Sequence, residues 1–218
     1  MKERGILFSA PMVRAILEGR KTQTRRPCGD RIGQPDGVGR GYYTRKLGSH
    51  VWESGLCTWH CPQGKPGDRL WVREGWRIAS NWDEYSPSDL QDEAGYCISR
   101  SEIRYLADGD VDLSGRDRRG IFMPRWVSRI TLEITDVRIE RVQEISETDA
   151  LEEGVFKQLC GSLAGMREMQ KLDGGSFYYD PDTHAAACSY AELWDSINGK
   201  NYPWSSNPWC WVISFRKV

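Results

Sequence analysis

The chain carries almost no net charge: 30 Lys and Arg stand against 31 Asp and Glu, leaving −1 at pH 7 over 218 residues. That balance excludes a histone-like polycation that holds polyanions by bulk charge, so any nucleic-acid or nucleotide site has to be a local basic patch. Long apolar runs are missing too, and no stretch approaches the roughly twenty residues needed to cross a bilayer. The start, MKERGILFSAPMVRAILEG, imitates a signal peptide, but Pro11 and Arg14 interrupt it and it runs straight into a helical pattern, so it reads as structure. Histidine is scarce, with three in the chain, and no paired-histidine arrangement or firm metal motif speaks for standard metal-assisted nuclease chemistry. Seven cysteines is an odd number at irregular spacing, which points to a reduced, cytoplasmic protein with mostly buried thiols. Neither a membrane partner nor a cofactor is expected, and the oligomeric state is not encoded legibly.

What is plentiful is tryptophan, with ten residues, several beside strand-like segments such as RLWVREGW and NPWCWVISF. Packing against a sheet accounts for most of them, leaving a minority as stacking platforms for a base. GILFS (5–9) reads as a short strand. Ser9 then caps a helix that tolerates Pro11 in its first turn, turns Met12, Ile16 and Leu17 inward, and stops at Gly19. RKTQTRR follows as a threonine-rich strand ended by Pro27. GDRLWVREGW (67–76) is turn plus strand, and WVSRITLEITDVRIERVQEI (126–145) is a long alternating strand, bent or bulged to serve a curved sheet. SETDALEEG is a short helix capped by Ser146 and stopped by Gly154; SYAELWDSING (189–199) is another, and WCWVISFRKV closes on a strand. Irregular insertions are expected at about 28–66, 77–120 and 157–188, the last part-helical around GSLAGMREMQKL. The order describes one domain over 1–218, α+β and mainly β: a small bent sheet or barrel with a few capping helices.

Residues 18–27, EGRKTQTRRP, concentrate Arg20, Lys21, Arg25 and Arg26 around two threonines. Edge protection of a strand is the plain structural alternative, but it does not require so dense a cluster. The functional reading is an anion or nucleotide pocket in which guanidinium forks and hydroxyls meet a phosphate or a base edge. Flanking Arg20, Arg25 and Arg26 would disfavour the ammonium form of Lys21 and make it a candidate base, with Thr24 supplying a nucleophilic or water-orienting hydroxyl. A geometric difficulty stands against this: in a regular strand Lys21 and Thr24 face opposite sides, unless Lys21 lies in the turn or a bulge shifts the register. For the carboxylate, Glu153 is the first choice, expected at a rim exposed by Gly154. Glu152 is its rival in the same segment and Glu74 its rival on a strand.

Two further motifs carry chemistry. CTWHCP places Cys57, His60 and Cys61 as weak zinc candidates, without a second CxxC-type pair. FMPRWVSR places Arg125 and Arg129 on either side of Trp126, a pattern suited to stacking on a base while holding a phosphate.

Taken jointly, ILEGRKTQTRRP, CPQGKPGDRLWVRE, FMPRWVSRITLEITDVRIERVQEISETDALEEGV and LWDSINGKNYPWSSNPWCWVISF resemble the ASCH-domain family, most of all its longer bacterial and prophage-borne members. The resemblance spans both ends and the middle of the chain and leaves the insertions unmatched. It implies a PUA-like fold, a small β-barrel with helices, and RNA or modified-nucleoside binding. Small bacterial ASCH proteins include amidohydrolases that deacetylate N4-acetylcytidine with a lysine and a threonine in a GRKTxTxR segment and a later glutamate. Lys21 and Thr24 match that segment directly, and the glutamate falls on Glu153. Arg20, Arg25, Arg26, Glu74, Arg125, Trp126 and Arg129 would then hold substrate. Other ASCH proteins are ribonucleases, so three expectations stand: a hydrolase of acylated cytidine, a non-catalytic RNA or modified-base module, and a ribonuclease. The greater length and the extra Arg/Trp blocks depart from the small enzymes and leave open a polynucleotide substrate.

Overall fold

The computed structural model describes residues 1–28, 43–46, 51–54, 57–87, 89–92, 102–109, 114–155 and 185–218. In chain order, the elements that matter here begin with β1 (Glu3–Leu7), α1 (Ala10–Leu17), β2 (Gln23–Pro27), β3 (Tyr43–Lys46), β4 (Val51–Ser54) and β5 (Cys57–His60). Next come β6 (Arg69–Arg73), β7 (Trp76–Arg77), α2 (Asp89–Asp92), β8 (Arg104–Tyr105) and β9 (Thr131–Arg141). The chain ends with α3 (Glu147–Glu152), α4 (Ala185–Asn198) and β10 (Trp209–Lys217). These elements make a mixed structure that is mainly sheet with few helices. It divides into two compact units: Met1–Gly19, Gly67–Ile134 and Arg216–Val218 in one, Arg20–Pro66 and Thr135–Phe215 in the other.

In the first unit β1 runs parallel to β6, Glu3 opposite Arg69 through Leu7 opposite Arg73, and β6 pairs antiparallel with the start of β9. Gly5 is required by packing, since a Cβ there would lie 2.6 Å from Arg73 Nε and 2.9 Å from the Trp71 ring. That close approach lets the Arg73 guanidinium stack 4.5 Å from the Trp71 ring centroid. Helix α1 starts after Ser9 with Pro11 in its first turn and ends before Gly19, whose φ of 75° suits glycine. Its buried face is Val13, Ala15 and Ile16, while Leu17 stays 38% exposed and Met12 half-buried, so the expected Met12–Ile16–Leu17 stripe is corrected to one that keeps only Ile16 fully inward. Trp76, Ile78, Tyr105, Met123 and Val127 form an apolar cluster beneath the β7–β8 pair.

In the second unit β10 pairs antiparallel with β2 in unbroken register, from Cys210 opposite Pro27 to Ser214 opposite Gln23. Helices α3 and α4 bury Ala150, Tyr190 and Trp194 with Val142, Trp204 and Val212 in one cluster. Ser146 caps α3 as expected, its Oγ accepting from the Asp149 backbone N–H at 3.0 Å. Glu147 in turn accepts from the Ala186 and Ala187 N–H groups at 2.9 and 3.1 Å, satisfying first-turn donors of α4. That helix begins at Ala185 rather than at Ser189. The 28–66 segment, expected to be irregular, contains a three-stranded antiparallel sheet β3-β4-β5. The helical expectation for GSLAGMREMQKL lies outside the described residues.

Strand β9 alternates in two parts. Leu132 and Ile134 are buried in its first part and Val137 and Ile139 in its second, so the buried set changes parity part-way along. The main strand order is β1-β6-β9-β10-β2, and no pairing joins β1 to β2. Among the described residues the sheet is therefore not closed. The expected PUA-like barrel is corrected to an open row of strands.

Candidate active site

The second unit gathers the densest set of buried charges among the described residues. Gln23 and Arg25 at the start of β2, and Lys21 two residues before it, turn toward α3, as residues two apart on an extended chain do. From α3, Asp149 and Glu153 lie one turn apart and face back, the spacing that puts two side chains on one helix face. The backbones are fastened directly, with Thr22 N–H donating to Glu152 O at 2.9 Å.

Lys21 Nζ is fully enclosed and donates three hydrogen bonds: 2.7 Å to Glu153 Oε2, 2.9 Å to the Glu153 carbonyl and 2.8 Å to the Gln23 carbonyl. An ammonium has three donors, so all are used. Arg25, with no side-chain exposure, lies 3.5 Å from Glu153 Oε1, 3.3 Å from Asp149 Oδ2 and 3.1 Å from Glu140 Oε2. Arg138 completes the outer edge, donating to Glu140 and, at 2.9 Å, to Asp149 Oδ1. The charges thus run from a half-open rim of Arg138, Glu140 and Asp149 to a sealed core of Arg25, Glu153 and Lys21.

Burial is the main influence on Lys21 and lowers its pKa; Glu153 opposes the shift, and Arg26 and Arg25 add to it. The expected direction is therefore present, but its chief cause is desolvation rather than the neighbouring arginines. Asp149 is partly desolvated, which works against its charge, yet bonds from Gln23 and Ser146 and the charges of Arg25 and Arg138 bring its pKa down to about 2. For Arg25, burial disfavours the charge, while Glu153 and then weaker partners including Asp149 outweigh it and raise the pKa.

Glu153 is 2% exposed, which corrects its expected place at a rim. The αR conformation at Glu153 and the left-handed Gly154 that follows direct it inward. Thr24 is buried and sits opposite Ile213 in the regular β2–β10 ladder, so alternation turns it to the sheet face away from Gln23 and Arg25. The structure brings Lys21 and Glu153 together and does not add Thr24 to that cluster. Arg20 Nη1 donates to the Gly154 carbonyl at 3.2 Å, and Arg26 is half-buried near the same charges. Glu152, the same-segment rival, is also half-buried.

The remaining substrate-binding candidates belong to the first unit. Glu74 is 1% exposed and both its oxygens accept from Arg129, at 3.0 and 3.1 Å. Burial raises the Glu74 pKa, with Arg129 opposing. Arg129 also donates to both oxygens of Asp108 at 2.7 Å and lies 3.9 Å from the Tyr105 ring centroid. Four of its five N–H groups are thus committed to protein carboxylates, which leaves little for a phosphate. Arg125 bonds Glu3 at 3.1 Å and Thr131 at 3.4 Å, and Trp126 packs partly buried beside the apolar cluster.

Cys57 and His60 begin and end β5, and Cys61 is buried with its Sγ 3.3 Å from Gln63 Oε1. Among the described residues no group of three His, Cys, Asp or Glu is arranged to hold a metal ion. Burial pushes the Cys28 and Cys210 thiols up, away from reactive thiolate. No described helix is long and apolar enough to cross a membrane.

Sequence reasoning missed Gln23, Asp149, Glu140 and Arg138. The signal was available for two of them, in the 21–23–25 alternation and in the 149–153 helical spacing. Neither a family model nor a curated protein matches the chain. A solved structure, protein EF3133 from Enterococcus faecalis V583, described as DUF984, is similar at 11% identity with a TM-score of 0.37, covering 100% of this chain and 80% of its own.

Proposed function

We propose that the chain is an ASCH-type hydrolase that deacylates an N4-acetylcytidine-type nucleoside, with Lys21 and Glu153 as its working pair. One observation carries the reading: an amine and a carboxylate far apart in sequence meet at 2.7 Å in a desolvated site bordered by Arg25. Desolvation favours the free-base amine, which is the form that can take a proton from water. Water oxygen then bonds to the acyl carbon, the carbon–nitrogen bond breaks, and the proton passes by way of Lys21 or Glu153 to the departing nitrogen, giving carboxylic acid and free amine. Arg25 supplies positive charge beside the developing oxyanion. Turnover requires the covered pair to be opened to substrate. Thr24 enters this reading from the ASCH resemblance alone.

Incubation of the purified protein with N4-acetylcytidine, followed by chromatography for cytidine, tests the proposal. The expected result is cytidine release that K21M and E153Q abolish; release that survives K21M refutes it. The complete enclosure of both groups favours a second reading, in which the ion pair only fastens α3 to β2 and the chain binds RNA or a modified base. That reading expects no cytidine and no RNA cleavage, with RNA binding that weakens as salt rises and is reduced by R125A. Shortened RNA products would support the ribonuclease instead.

A further inference from the structure

The outermost carboxylate of the charge row is held more firmly than a surface acid needs to be. Asp149 Oδ1 accepts from Gln23 Nε2 at 3.1 Å and from Arg138 Nη2 at 2.9 Å, and Oδ2 lies 3.3 Å from Arg25 Nη2. Gln23 and Arg25 are also the two β2 residues that frame Lys21. The Gln23 carbonyl accepts from Lys21 Nζ, and Arg25 lies 3.5 Å from the carboxylate that Lys21 pairs with. The charges therefore alternate in one row, Asp149, Arg25, Glu153, Lys21.

The middle contact of that row is slack. Arg25 Nη1 and Nε and Glu153 Oε1 are buried without a hydrogen-bond partner among the described residues, so Arg25 and Glu153 hold each other by charge at 3.5 Å. Asp149 and Glu140 pull Arg25 outward, and Glu153 pulls it inward. Weakening the outward pull lets Arg25 close on Glu153 and compete with Lys21 for it.

We infer that Asp149 is a positioning residue that, through Arg25, sets whether the buried Lys21 amine carries a proton. This deepens the hydrolase reading by naming what regulates its amine, yet its test uses no substrate, so a failed deacylation assay leaves it standing. The groups acting on Lys21 are Glu153 on α3 and Arg25 and Arg26 on β2; around Arg25 stand Glu153 and Asp149 on α3, Glu140 on β9, Tyr190 on α4 and Cys210 on β10, with Arg138 on β9 holding Asp149 from outside. Asp149 is the carboxylate among them that contacts both Gln23 and Arg25. Its own pKa, held down to about 2, keeps it ionised through neutral and alkaline pH.

The experiment is a pH titration of the Lys21 13Cε resonance in lysine-labelled full-length protein, the signal being assigned by its absence in K21M. D149N is expected to move the midpoint to lower pH, because Arg25, released from Asp149, closes on Glu153 and competes with Lys21 for it. D149E, which keeps the charge, restores it. R25Q moves the midpoint to higher pH, and in the R25Q background D149N adds no further shift, as a coupling that passes through Arg25 demands. A midpoint unmoved by D149N, or moved equally with and without Arg25, overturns the inference. If R25Q does not fold, D149N against D149E decides: equal midpoints overturn it, and a lower D149N midpoint upholds it.

Discussion

Replacing Glu153 by glutamine tests the buried pair directly. The amide keeps the shape and removes the charge, leaving an ammonium that retains the Gln23 and Glu153 carbonyls but no carboxylate. Breaking a buried pair by deleting one partner costs about 3–5 kcal/mol. An independent ceiling comes from the lysine's escape route, which is to give up its proton: against an ordinary value of 10.5, doing so at pH 7 costs about 5 kcal/mol at about 1.4 kcal/mol per unit. At a pH of about 9.5 the same escape costs only about 1.4 kcal/mol. The sign follows from proton counting. A lysine whose folded pKa lies below its unfolded value binds fewer protons when folded, so stability rises with pH between the folded midpoint and 10.5. E153Q is therefore expected to be strongly destabilised at neutral pH and to recover much of the deficit in mild alkali. K21M makes the opposite deletion but leaves Glu153 with Arg25 at 3.5 Å, so its loss is smaller, about 1–3 kcal/mol, and carries no such alkaline recovery. Urea unfolding of the three proteins at both pH values supplies the numbers. An E153Q deficit that is absent, or the same at both pH values, would refute the buried pair.

Two further changes probe the first unit. Gly115→Ala would set a Cβ 1.7 Å from the Ile78 carbonyl oxygen, a backbone atom that cannot swing aside, so a loss at the upper end of about 1–3 kcal/mol or beyond is expected in urea unfolding. Arg129→Lys keeps the charge but gives up the fork that binds Glu74 and Asp108 together, so it should lower the urea midpoint nearly as much as Arg129→Gln, and a lysine variant as stable as the parent contradicts the clamp.

The periodic parts of the fold were legible. Alternation gave β9, the run WCWVISFRKV read as the closing strand gave β10, and Ser146 with Gly154 gave the ends of α3, because capping and pleating are local rules that packing did not override. The small sheet β3-β4-β5 escaped because its strands are four residues each, too short for alternation to rise above the glycines around them. Closure into a barrel escaped for a different reason. Whether β1 and β2 meet depends on strand tilt and stagger, which no window of sequence records.

The site divides along the same line. Alternation turns Thr24 away from Gln23 and Arg25 on the regular β2–β10 ladder, while Lys21 meets Glu153 from the segment between Gly19 and β2, outside that ladder. What sequence could not weigh was burial. Four cations in EGRKTQTRRP looked like a solvent-facing trap for anions, yet Lys21 and Arg25 are wholly enclosed and meet the chain's own carboxylates instead. A cluster of like charges is stable indoors only if an equal cluster of the other sign comes to meet it. Helix α3 supplies that answer in Asp149 and Glu153, so the acidic run SETDALEE is better understood as the counterpart of GRKTQTRR than as a capped surface helix. Read as a pair, the two segments explain each other's charge without any outside ligand. A substrate, if one enters, has to compete with Glu153 for Lys21, and the strength of the pair it must break is what urea unfolding of E153Q at the two pH values measures.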